Sequence, residues 1–64
     1  MIKISMLSEK MIIYGNRYRS VYAEVDQGLE QATMLFYKGQ YEQSLNVSIQ
    51  AIQLIEDNPL DKIK

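Results

Sequence analysis

Seven residues hold most of what could act on another molecule: Tyr14-Gly15-Asn16-Arg17-Tyr18-Arg19-Ser20. They include both arginines of the chain, two of its five tyrosines and one of its three glycines. A guanidinium presents a planar fork of donors that meets a carboxylate with two parallel hydrogen bonds, and an asparagine amide offers a donor and an acceptor to a backbone. This is recognition chemistry rather than bond-making chemistry. Two readings are open. Either Asn16, Arg17 and Arg19 form a patch that receives a partner, with Tyr14, Gly15 and Tyr18 positioning them, or Arg17 pairs within the chain with Glu24 or Asp26 while Asn16 helps to close a helix.

Little else in the chain offers reactivity. There is no histidine and no cysteine, which removes the usual near-neutral base, the thiolate nucleophile and the commonest metal ligands. The carboxylates are spread at the spacing of a solvated helix face, and Gly15, Gly28 and Gly39 lie too far apart for a phosphate-binding loop. Neither zinc spacing nor a calcium loop is present. No catalytic residue, cofactor or metal is therefore expected, and the chain reads as a non-enzyme. A net charge of −1 argues against general nucleic-acid binding, which rests on neutralising phosphates. The balance is uneven: residues 1–20 carry +3, residues 21–57 carry −5 and the rest +1. A basic first helix against acidic second and third helices would follow. The longest apolar runs are too short to span a bilayer, so the fragment reads as soluble and without direct membrane contact.

The elements that must carry the patch are helical. Ile4, Leu7, Met11, Tyr14 and Tyr18 recur at spacings of 3 and 4, as do Tyr22, Val25, Leu29, Ala32 and Phe36, and then Tyr41, Leu45, Ser48, Ile52 and Ile55. These seams predict helices over about 2–19, 21–38 and 41–57. Ser20 is the candidate N-cap of the second helix, Gly39 the glycine that stops it, and Asn58-Pro59 the end of the third. Gly28 reads as a close-packing position. The short second connection makes the last two helices an antiparallel hairpin. Helix one either closes a three-helix bundle on that hairpin or extends away as part of a coiled coil. The expected core includes Tyr14, Tyr18, Tyr22 and Tyr41, with Met6, Met11 and Met34 filling gaps, and Tyr37 is the most exposed aromatic. The fold class is thus all-α, a single module of three helices over residues 1–64.

Phe36-Tyr37-Lys38-Gly39-Gln40-Tyr41-Glu42-Gln43-Ser44-Leu45, followed by Ala51-Ile52-Gln53-Leu54, resembles the second half of a tetratricopeptide repeat. That resemblance implies an adaptor hairpin binding a peptide or partner protein, with Tyr37, Tyr41 and Asn46 as contacts. A broader resemblance covers nearly the whole chain. Tyr14-Gly15-Asn16-Arg17-Tyr18-Arg19, then a helix, then the same Phe36–Leu45 run, is similar to the C-terminal end of the septation ring formation regulator family, EzrA.

This second resemblance implies a spectrin-like fragment, the C-terminal piece of a longer cell-division protein. Its parent would be anchored by an N-terminal membrane helix on the cytoplasmic side of the membrane at mid-cell. There it would restrain assembly of the tubulin-like protein FtsZ and contact other division proteins. The resemblance places the partner-binding residues at Tyr14, Gly15, Asn16, Arg17, Tyr18 and Arg19. Uncovered apolar seam on helix one would also allow a homodimer.

Overall fold

The computed structural model describes residues 3–59 and 61. Among the described residues three helices form, α1 (Ile4–Asn16), α2 (Ala23–Tyr37) and α3 (Tyr41–Gln53), and there is no strand. α2 and α3 make the most extensive contact; α1 lies on that hairpin, mainly against α3. Of the two arrangements open for helix one, the structure takes the closed bundle.

The turn between α2 and α3 is a Schellman motif. Gly39 sits at φ +82°, its N–H donates to the Phe36 carbonyl at 3.0 Å, and the Gln40 N–H donates to the Leu35 carbonyl at 3.0 Å. The left-handed conformation is cheap only for glycine, so the hairpin turns here as expected. Its two arms run antiparallel, as Gly28 faces Ala51 and Ser44 faces Ala32.

The helix ends differ from expectation in three places. α1 ends at Asn16 rather than near residue 19, because the chain goes straight into tight turns closed by Tyr18 N–H on the Gly15 carbonyl and Arg19 N–H on the Asn16 carbonyl. α2 is capped by Tyr22 rather than Ser20, because the Tyr18 carbonyl accepts the N–H groups of both Val21 and Tyr22 and carries the turn past Ser20. α3 is regular only to Gln53. It then tightens into a turn in which the Ile52 carbonyl accepts from Ile55 and Glu56. Asn58 follows at φ +55° ahead of the buried Pro59.

The core contains Met11, Val25, Leu29, Leu45, Ala51, Ala32 and Ile52, with Leu7, Tyr14, Tyr18, Ile49 and Ile55 packed around it. Its centre is built from small residues as much as from large ones. A Cβ on Gly15 would stand 2.6 Å from Leu29 Cδ1 and 2.9 Å from Ile52 Cδ1, and one on Gly28 would stand 2.5 Å from Ala51 Cβ. Ser8, Ser44 and Ser48 are fully buried. The Ser8 hydroxyl donates to Ser44 Oγ at 2.7 Å, and Ser44 donates to the Ala32 carbonyl at 2.7 Å, so one hydrogen-bonded chain crosses all three helices.

This small-residue line turns α1 on its axis relative to the apolar seam. Ser8, Met11 and Gly15 face inward, whereas Ile4 and Met6 are exposed. Met34, Tyr22 and Tyr41, also expected inside, lie at the surface: Met34 is off the Val25–Leu29–Ala32 face of α2, and Tyr22 and Tyr41 stand at the starts of α2 and α3, at the ends of the bundle.

Candidate functional site

The joint between α1 and α2 occupies one end of the bundle. Gly15 is buried where α1 crosses Leu29 and Ile52, and α1 ends one residue later at Asn16, short of the expected end near residue 19. The chain then turns tightly: Tyr18 N–H donates to the Gly15 carbonyl at 2.9 Å, and Arg19 N–H donates to the Asn16 carbonyl at 3.3 Å. Backbone polar groups are thereby satisfied within a few residues, which fixes the directions in which the side chains leave.

The two arginines have different fates. Arg19 Nε bonds Asp26 Oδ1 at 2.7 Å, and its Nη1 donates to Asn16 Oδ1 at 3.3 Å. The acid anticipated from sequence is thus engaged, but by Arg19 rather than Arg17. Arg17 instead lies over the Tyr14 ring, its Cζ 4.9 Å from the centroid. It has no hydrogen bond or ion pair among the described residues, so its donors face solvent while the aromatic face limits its freedom.

The tyrosines form a ladder that runs from the partly buried Tyr14 and Tyr18 to the exposed Tyr22. Tyr14 and Tyr18 meet edge-to-face with centroids 6.0 Å apart, and Tyr18 and Tyr22 lie 6.4 Å apart. The Tyr14 hydroxyl donates to a Glu56 carboxylate oxygen, tying the end of α1 to the turn after α3. That bond to Glu56, then burial and the neighbouring Tyr18, hold the Tyr14 pKa well above the ordinary phenol value. The hydroxyl therefore stays protonated, the reverse of an activated nucleophile.

The structure brings Asn16, Arg19 and Asp26 into one hydrogen-bonded group and, beside it, hydrogen-bonds Tyr14 to Glu56 with Arg17 lying over the Tyr14 ring. Gly15 and Tyr18 lie beneath. Asp26 was visible in sequence as a charge near the start of a helix; Glu56, remote in the chain, gave no sequence signal at all. The residues singled out for an adaptor groove are not gathered together. Tyr41 and Asn46 line one cleft of about 550 Å³ with Ile4, and Tyr37 lines another of about 320 Å³ with Ile12 and Ile13. α1 thus covers part of the hairpin face that such a groove would use. Among the described residues no cluster of acidic side chains could hold a metal, and no helix is long and apolar enough to cross a membrane.

Comparison with known proteins gives a consistent result. The model of the septation ring formation regulator EzrA family matches residues 1–64. A septation ring formation regulator EzrA from Geobacillus sp. (strain WCH70) is 44% identical over 64 residues, which is 100% of this chain and 11% of that protein. Its counterpart from Halalkalibacterium halodurans is 40% identical over 63 residues, 98% of this chain and 11% of that protein. One from Staphylococcus aureus (strain JH9) is 38% identical over 52 residues, 81% of this chain and 9% of that protein. The chain therefore spans about a tenth of the length of the curated relatives it matches. No solved structure matches.

Proposed function

The chain belongs to the septation ring formation regulator (EzrA) family, and from that premise we propose that it is a non-catalytic protein-interaction module of a cell-division regulator. Its contact surface is the joint between α1 and α2, with Arg17 and Asn16 foremost, Arg19 behind them, and Tyr14, Gly15 and Tyr18 as their support. The parent protein restrains FtsZ ring assembly from the cytoplasmic side of the membrane at mid-cell, and this module contacts FtsZ or another division protein.

One observation carries the reading. Arg17 is held on an aromatic face with no acidic partner among the described residues, whereas Arg19 is engaged by Asp26 and Asn16. A guanidinium already restricted in orientation loses less freedom when a carboxylate docks on it, which favours recognition there. The tied tyrosine and the buried glycine make the platform rigid.

The test is sedimentation of FtsZ polymers with the full-length protein, compared with its Asn16→Ala/Arg17→Ala variant, alongside imaging of both at mid-cell. Loss of polymer restraint or of mid-cell placement with intact helicity supports the patch; unchanged behaviour in both assays removes it. An adaptor-type groove would instead make Tyr41→Ala and Asn46→Ala the damaging variants.

A further inference from the structure

Lys10, Ile13, Tyr14 and Arg17 follow one another at the three- and four-residue spacing of a single helix face. Together they line an open cleft of about 330 Å³ along the outside of α1. Ile13 is 60% exposed, a large apolar side chain without cover. Lys10, like Arg17, has no ion pair among the described residues, and no carboxylate lines the cleft. Glu9, adjacent in sequence, lines the neighbouring cleft between α1 and α2, which shares Ile13 with this one.

In a chain whose residues 21–57 carry −5, this face is an apolar strip with, at each end, a cation that has no ion pair among the described residues. We propose that it seats an acidic amphipathic helix of a partner protein, one with carboxylates seven residues apart and apolar side chains between them. Seven residues of α-helix rise about 10.5 Å, so such a helix matches the Lys10-to-Arg17 spacing along α1. The proposal rests on the protein-binding reading above and extends the contact from the joint down α1, adding Lys10 and Ile13 to it.

A second copy of the chain does not supply the complement. Seven residues beyond Glu24, Glu30 and Glu42 stand Gln31, Tyr37 and Ile49, so none of these acids has a partner at the required spacing. An anionic membrane is also a poor match, because electrostatic capture by lipid takes a cluster of roughly four to eight basic residues.

The test titrates the isotope-labelled chain, by amide NMR, with a synthetic alanine-based helix of about 20 residues. The helix carries two glutamates seven apart and two leucines between them. Saturable shifts centred on residues 10–17 are expected. Lys10→Glu should weaken the affinity about fivefold, as should raising the salt until the charges are screened. A peptide with lysine at the position opposite residue 10 should recover binding to Lys10→Glu, which a merely structural role for Lys10 would not produce. Equal shifts with an all-lysine peptide, or binding to anionic vesicles but not to the acidic helix, would overturn the proposal. If partner capture by the full-length protein is lost in Arg17→Ala but intact in Lys10→Glu and Ile13→Ser, the seat on α1 is wrong while the joint stands. Capture intact in all three removes both.

Discussion

Arg17 and Arg19 are two residues apart and chemically alike, yet the fold gives them opposite tasks. Arg19 closes the joint through Asp26 and Asn16, and both members of that ion pair are substantially exposed. Arg19→Ala should therefore cost under about 1 kcal/mol in denaturant unfolding. Arg17→Ala should leave stability within about 0.5 kcal/mol and lower partner affinity about tenfold by pulldown or calorimetry. Arg17→Lys, which keeps the charge but not the fork, should recover only part of that loss.

Tyr14 offers a test by pH at the same scale. Its folded pKa lies above that of an unfolded tyrosine, so the native state holds its proton longer. The associated stability is fully present below the unfolded value of about 10 and is lost as the pH rises through the folded pKa. Ultraviolet titration should show one of the five tyrosines ionising after the others. Tyr14→Phe should abolish that late step and, by removing the tie to Glu56, speed amide exchange at Ile55 and Glu56.

Among the elements, Gly28 and Gly39 separate packing from backbone conformation. At Gly28 a new methyl meets Ala51 Cβ, which is attached directly to the α3 backbone and cannot swing aside. Gly28→Ala should thus lose about 1–3 kcal/mol, despite gaining up to about 1 kcal/mol in helix propensity. Gly39 has open space around it, so Gly39→Ala should cost only the left-handed conformation, about 1–2 kcal/mol. Chemical denaturation of the two variants distinguishes these origins, because adding a compensating Ala51→Gly should relieve the first and not the second. Ser44 is the other junction between elements. Ser44→Ala strands the buried Ser8 hydroxyl and should cost about 1–3 kcal/mol, more than Ser48→Ala, which removes only a bond to a carbonyl of its own helix.

Across the whole molecule, the hairpin was legible because its signals are local: a glycine at the right place, a short loop, and the Val25–Leu29–Ala32 seam, which is buried as read. Met11 and the exposed Tyr37 were equally plain, the latter 82% exposed. The rotation of α1 was not, since a search for apolar periodicity passes over Ser8 and Gly15, whose value is that they are small. The patch residues were visible by type; which arginine would be free depended on how far the joint turns before Asp26 comes within reach. The Tyr14–Glu56 tie joins residues 42 apart and exists only once three helices are assembled.

The order of the helices sets how the bundle carries load. α1 and α3 run in the same direction, with Ser8 beside Ser44 and Tyr14 beside Glu56. Lys3 consequently lies at the pole of the α2–α3 turn, and Pro59, after the turn at Asn58, lies by Ile49 and Gln53 in the opposite half of α3. Tension applied between those points slides α1 along α3, so the serine bond and the tyrosine tie resist together, as rivets in a lap joint, instead of opening one at a time. Single-molecule stretching across Lys3 and Pro59 should give a higher rupture force than peeling the α2–α3 hairpin from its turn, and Ser44→Ala combined with Tyr14→Phe should erase most of the difference.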